Sequence, residues 1–510
     1  MPIDFLTEEQ KQNYGRYAAE PNEVQLSRYF ILDENDLIFI AQRRGDQNRL
    51  GIALQLTSVR FLGAFLPDLA LVPHNVQTFV ATQLSISRTD ILAEYAKREP
   101  TRWEHYAQIK KYYHYHEFGE FPWTFRLNRL LYTRAWISNE RPSLMFDFAT
   151  AWLVQHKILL PGTTTLSRVI TEIRERAANR LWQRLLALPN DEQKRQLDEL
   201  LSFSEGQRVS MFEQLKKGPV TVSSPAFNDA LDRYNKLHQL GFQQLDFTGL
   251  PPAQLKSLAR YANVTSVKKI VRIPMKKRTA ILIAFVKSLE VIALDEAIDV
   301  LDMLITNIAG EAKKAGQKKR LRTLKDLDRS SLILAKACAL LLDEVTDDSH
   351  LRKSIFSCIS KERLAESVKM VNELARPADN NFQDEMIEQY GRVRRFLPRV
   401  LRELTFLAAP AGEHTLAAFN YLSSLGASRK HILDDAPKNI ITGPWKRLVF
   451  DEEGRVRRPG YSLCLLERFQ DALRRRDIYL ENSDRWGDPR SKLLQGTEWQ
   501  AQRVSVCRAL

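Results

Sequence analysis

Long apolar runs are missing from this sequence. No stretch of about twenty consecutive apolar residues occurs, so no membrane-spanning helix is expected. Cysteine is scarce: Cys338, Cys358, Cys464 and Cys507 are the four in 510 residues, far apart and without a CxxC pair. That spacing argues against both a disulfide framework and a structural zinc site. The opening MPIDFLTEEQKQNYG lacks the basic-then-apolar order of a signal peptide. A reducing cytoplasm is therefore the expected compartment. The Gly-rich phosphate loops and the HExxH and GxSxG patterns are absent as well. No repeat or low-complexity tract appears. Strand-like alternation is confined to PWKRLVFDEEGRVRRPGYS, where Glu453-Gly454 predicts a small hairpin.

What is present is helical periodicity and positive charge. The composition, 44% hydrophobic and 27% charged, is that of a globular protein. At roughly 100–200 residues per domain the length predicts three or four domains. Asp33 with Asp36 reads as a capped start for ILDENDLIFIAQRR. Asn48 stands before LGIALQL, Pro73 opens a helix with Val76, Phe79, Val80 and Leu84 on one face, and Ser87 with Asp90 resembles a capping box. Further helices are predicted over Phe125–Ile137, Ser143–Gln155 and Thr165–Leu188, the last two separated by Pro161-Gly162. Two long patterns follow, KKRTAILIAFVKSLEVIALDEAIDVLDMLITNIAGEAKKAG and RSSLILAKACALLLDEV, and then a third, FQDEMIEQYGRVRRFLPRVLREL. The predicted class is predominantly all-α, with several helical modules in series.

The formal net charge is +14. Such a field favours an anionic partner, nucleic acid first, against the plain alternative of a solvated basic surface. Location decides between them. Lys268, Lys269, Arg272, Lys276, Lys277 and Arg278 fall in VKKIVRIPMKKR with no acid among them, and Lys313, Lys314, Lys318, Lys319, Arg320 and Arg322 fall in KKAGQKKRLR likewise. Each phosphate neutralised by such a residue releases condensed counterions. Both clusters are read as turns or helix ends. In RRGDQNRLGIALQLTSVRF, Arg43, Arg44 and Arg60 offer planar forks for guanine or phosphate, and Asn48 and Gln55 can address adenine. The competing reading makes Arg60 and Gln55 internal hydrogen-bonders. The HYHEF segment holds His114 and His116 without an evident third ligand, and aromatic packing near Trp103 and Trp123 is expected there rather than metal.

Residues 43–84 also carry a resemblance. Arg43-Arg44-Gly45, Asn48, Leu50-Gly51, Ala53, Gln55-Leu56, Arg60, Gly63, Pro73, Ala81 and Gln83-Leu84 resemble the N-terminal region of the Tn-three family of replicative bacterial transposases. Trp445, Arg458, Tyr461, Leu473, Arg474, Asp477, Ile478 and the Trp486–Arg490 turn WGDPR resemble the segment that precedes the catalytic domain of that family. Arg278–Leu301 fits its middle helices more loosely. KKYYHYHEF departs from the family's shorter, more basic turn and puts any DNA contact at 110–116 in doubt.

The resemblance implies recognition of double-stranded DNA at transposon terminal inverted repeats, and a homodimer. It also implies a ribonuclease-H-like domain whose two aspartates and glutamate bind divalent metal, expected to be magnesium. No positions here match that triad, so no cofactor and no catalytic activity are expected of this chain alone. It implies helical DNA-binding modules at 1–96 and 97–205, a third helical module with the basic clusters at 206–370, and a dimerisation and linker region at 371–510. The expected setting is the bacterial cytoplasm at the nucleoid. Two alternatives accompany this reading: a truncated product that inhibits transposition, and an all-helical scaffold for acidic partners.

Overall fold

The computed structural model describes residues 5–97, 99–203, 208–342, 348–374, 382–426, 428 and 430–493. The chain forms two compact units, Met1–Leu197 with Leu245–Phe285, and Asp198–Gln244 with Val286–Leu510. It thus leaves the first unit after Leu197 and returns to it at Leu245. The expected boundary at 205/206 lies outside the described residues.

The first unit is helical, built around Asp46–Leu62. Every residue from Leu50 to Val59 is buried in that helix. A helix buried on all sides belongs inside a core rather than on a surface. Gly45 begins it at φ +84° and Gly63 ends it at φ +73°, donating to the Val59 carbonyl at 2.9 Å as a left-handed C-terminal residue. Helices Glu34–Ala41, His74–Gln83, Leu92–Ala96 and Glu99–Tyr113 pack on it. A second core in the same unit joins Trp123–Ile137, Pro142–Gln155 and Thr163–Leu186. Leu127, Leu131 and Ala135 face it at four-residue spacing.

The Asp33 cap forms as read, its side chain accepting from the Asp36 N–H while Asp36 returns the bond. The Ser87–Asp90 box does not form. Asp90 instead accepts from Arg88 Nε at 3.1 Å and the helix begins at Leu92. An adjacent arginine fork competes with a backbone N–H for the same carboxylate. HYHEF takes part in a parallel bridge between His116 and Ile158. There the His116 ring lies 5.1 Å from Trp123 and its Nδ1 is 2.9 Å from Glu120 Oε2.

In the second unit the two long patterns are one helix, Met275–Leu341, which begins in the first unit. The lysines and arginines of 313–322 lie inside it rather than at a turn. No proline interrupts that stretch, and Lys, Arg, Gln and Ala propagate a helix readily. By contrast, FQDEMIEQYGRVRRFLPRVLREL breaks at 389 and at 394–396 into Gln383–Glu388, Tyr390–Val393 and Leu397–Glu403, the last with Pro398 in its first turn, where its missing N–H is tolerated. The predicted hairpin shrinks to a turn. Asp451 accepts N–H bonds from Glu453 and Arg455, Gly454 takes φ +76°, and one antiparallel bridge joins Phe450 to Val456. Gly443–Val449 is a helix that buries Trp445 and Val449, so the apolar spacing read as alternation is a helical face. Val456–Arg457 pairs instead with Ile432–Leu433, and Leu407–Ala408 pairs with Ile478–Tyr479, both antiparallel.

The C-terminal part of this unit is strapped along helix Met275–Leu341. Asp295, Asp299 and Asp302 recur at helical spacing and each receives side chains from it. Ser483 and the Arg485 N–H meet Asp295, Arg485 and the Trp486 indole meet Asp299, and Gln470 with Arg474 meet Asp302. The Trp486 Nε1 bond is 2.9 Å and the Arg474 Nε bond 2.8 Å. Arg474 and Trp486 from the second resemblance block therefore hold structure together.

Candidate nucleic-acid interface

The candidate residues stand on two turns of the first unit, each at the entry of a long helix. The first turn precedes Asp46–Leu62. Its shape follows from Gly45, whose positive φ lets the chain reverse direction into the helix. Asn48 Nδ2 donates to the Arg44 carbonyl at 2.8 Å, and Arg49 Nε to the Arg43 carbonyl at 3.1 Å. The two side chains thus tie the turn from within the helix. Arg44 is exposed. Arg43 is half-buried, its guanidinium 4.9 Å from the centre of the Phe39 ring. Asn48 therefore braces the turn, while Arg43 and Arg44 supply its charge.

Arg49 was not singled out from the sequence, although RRGDQNR places three arginines within seven residues. Its side chain is 45% exposed and pairs with Asp46 at 3.8 Å, a long and solvent-screened contact. It adds a third cation to the turn.

Gln55 and Arg60 take the internal role. The Gln55 side chain is wholly buried; its Nε2 donates to the Leu66 carbonyl at 2.9 Å and its Oε1 accepts the Leu66 N–H at 3.1 Å. Arg60 Nη2 donates to both oxygens of Asp36 at 2.9 and 3.0 Å. Asp36 is fully buried and also accepts the Tyr113 hydroxyl at 2.7 Å. Burial alone lowers the Arg60 pKa, but the hydrogen bonds and charge of Asp36 outweigh it and raise it. Gln55 is thus closed off inside the core, and the Arg60 guanidinium is engaged by Asp36.

The second turn joins Val267–Val271 to Met275–Leu341. The short helix buries Val267 and Ile270, three residues apart, so Lys268 and Lys269 face water. Arg272 and Lys276 are exposed too. None of these four forms an ion pair among the described residues. Arg278 Nη1 donates to the Val271 carbonyl at 3.2 Å and secures the turn. Lys277 lies with its ammonium 5.6 Å from the Trp182 ring.

Lys277 also opens onto a cavity of about 190 Å³ lined by Trp136, Asn139, Arg174, Trp182 and Tyr261. Arg180 and Arg184 lie 5.3 and 5.7 Å from the Trp136 ring. Cation–π contacts with the indole faces hold these basic side chains in place near the cavity. Arg180 and Arg184 escaped the sequence reading because NRLWQRLL looks like any amphipathic helix surface.

Comparison with known proteins bears on what these turns serve. Residues 5–173 match a family described as a domain of unknown function, DUF4158. The chain is 69% identical over 510 residues to the transposase for transposon gamma-delta of Escherichia coli (strain K12), covering 100% of this chain and 51% of that protein. The chain is similar throughout to transposon transposases. It is 27% identical over 485 residues to the transposase for transposon Tn501 of Pseudomonas aeruginosa, covering 95% and 49% of the two. It is 25% identical over 507 residues to the transposase for transposon Tn1546 of Enterococcus faecium, covering 98% and 50%. The chain spans about half the length of the curated relatives it matches. No helix among the described residues is long and apolar enough to cross a membrane.

Proposed function

We propose that this chain binds the terminal inverted repeats of a transposon, as the DNA-recognition part of a transposase in replicative DNA transposition. The observation that carries this is the similarity to transposases along the whole of this chain, joined to two exposed cationic turns on one helical unit. Lys268, Lys269, Arg272 and Lys276 contact phosphates and give sequence-independent affinity. Arg43, Arg44 and Arg49 approach the duplex from a glycine turn held rigid by Asn48. Phosphate contacts set position and base contacts set specificity, so the two turns differ in what their loss does. The complex forms from two copies of the chain, on DNA of the bacterial nucleoid.

Strand cleavage and joining belong in this reading to the whole protein and use a divalent metal, magnesium. Among the described residues no three His, Cys, Asp or Glu side chains are placed to hold a metal ion.

The test is a salt series. Alanine at Lys268, Lys269, Arg272 and Lys276 together weakens binding to repeat and scrambled duplex alike and flattens the salt dependence by about 0.9 per lost contact. Unchanged salt dependence contradicts the assignment.

A further inference from the structure

The second unit carries a cleft of about 600 Å³ that repeat recognition leaves unused. It is bordered by Tyr390–Val393, Leu397–Glu403, Glu413–Ser424 and the start of Arg458–Arg475. Arg394, Arg402, Lys430, His431 and Arg458 line it, and among the described residues no carboxylate does. Arg402 and Lys430 touch Glu403 at 2.6 Å and Asp434 at 3.2 Å, neither of which lines the cleft. Arg394 is exposed and forms no ion pair among the described residues. Arg458 is half-buried and fixed, since its guanidinium donates to the Ser428 carbonyl and its N–H to the His431 carbonyl at 2.8 Å.

Cations of one sign around a concavity with apolar walls focus the field and concentrate anions. Arginine forks match phosphate oxygens, and four such cations exceed what a single small anion needs. At about 600 Å³ the cleft is too small to enclose a base-paired duplex. An unpaired strand does fit the chemistry. It brings one phosphate per nucleotide and a base with an open π-face, and Tyr390 stands in the cleft wall as the aromatic partner.

We propose that this cleft holds the phosphates of an unpaired nucleic-acid strand, with Tyr390 against one of its bases. The choice of a nucleic acid over a free oligophosphate rests on the function proposed above; the cationic cleft itself does not.

The experiment titrates the whole chain with a labelled oligothymidylate, with the repeat duplex and a scrambled duplex, and with inorganic tripolyphosphate as competitor. Arg394→Ala with Lys430→Ala weakens oligothymidylate binding and lowers its salt slope by about 0.7 per cation. Tyr390→Ala costs about fivefold or more, the loss of one stacked base. Arg394→Lys retains most of the affinity, which separates charge from folding. Duplex binding is unchanged in all three, whereas Lys268→Ala with Lys269→Ala lowers duplex binding and spares the oligothymidylate. Equal oligothymidylate affinity in wild type and in the double variant overturns the proposal. So does full displacement by tripolyphosphate with Tyr390→Ala silent, which leaves an anion site only. Failure of repeat recognition shows separately, as equal binding of repeat and scrambled duplexes with the oligothymidylate results intact.

Discussion

Arg60 and Asp36 form a two-pronged ion pair at 2.9 and 3.0 Å, with the aspartate entirely buried. This pair explains why the helix Asp46–Leu62 has arginines at both ends. Those before it stand on a turn, Arg44 exposed and Arg43 half-buried over the Phe39 ring. The one in its last turn neutralises a carboxylate that caps helix Glu34–Ala41, and a cation there also suits the helix dipole.

Arg60→Ala therefore acts on stability. Removing one partner leaves Asp36 charged and desolvated, a loss of about 3 kcal/mol. Urea denaturation reads the cost directly, and DNA affinity per folded molecule stays as in wild type. Arg44→Ala gives the mirror result, with weaker DNA binding at unchanged stability. If Arg60→Ala unfolds at the wild-type midpoint, the pair contributes nothing to the fold.

Gly51→Ala tests the packing behind the turn. A Cβ at Gly51 would lie 2.5–2.7 Å from the ring of Tyr95, which is 2% exposed. Alanine gains about 1 kcal/mol of helix propensity. Overpacking costs about 1–3 kcal/mol, so the balance is destabilising. A melting temperature equal to or above wild type contradicts this close approach.

The acid limb of stability follows His105. Burial, and secondarily the charge of Arg43, pushes its pKa from 6.5 down to about 4. The unfolded chain binds this proton below about pH 6.5 while the folded chain resists it. Stability is thus fully present above pH 6.5 and falls as pH drops toward 4, by about 3 kcal/mol in total from this group. His105→Gln retains a hydrogen-bond partner for the Tyr95 hydroxyl, now 3.0 Å from Nδ1, and flattens the slope in that window. An unchanged pH profile in denaturation midpoints sinks the attribution.

Local information was enough for caps, breaks and class. Asp33 and Asp36 sit at capping spacing, Pro161-Gly162 falls between two helices just before Thr163–Leu186, and the periodicity is helical nearly throughout. Three things were not legible. Whether 313–322 is a turn depends on the absence of a breaker, and a run of lysines looks the same on a loop or a helix. The 443–449 segment has apolar spacing compatible with either period, and burial of Trp445 decided it. Finally, Gln55 and Arg60 offer the same donors to a base as to a carbonyl or a carboxylate. Only their tertiary partners, Leu66 and Asp36, separate the two uses.

The aspartate row on helix Met275–Leu341 gives another expected outcome. Asp299→Ala removes the acceptor of the Trp486 indole and of the Arg485 guanidinium. Amide exchange over 483–487 then accelerates about tenfold, as expected for the loss of roughly 1–2 kcal/mol of hydrogen bonding. Exchange at wild-type rates means that the strap is held by something else.

The most direct measurement is an anisotropy titration of this chain with its element's terminal repeat and with a scrambled duplex, across a salt series and without magnesium. The account predicts a clear preference for the repeat, an affinity that falls steeply with salt, and loss of the preference on Arg43→Ala with Arg44→Ala. Equal binding of both duplexes at every salt concentration would contradict it, leaving the two turns as holders of phosphate alone.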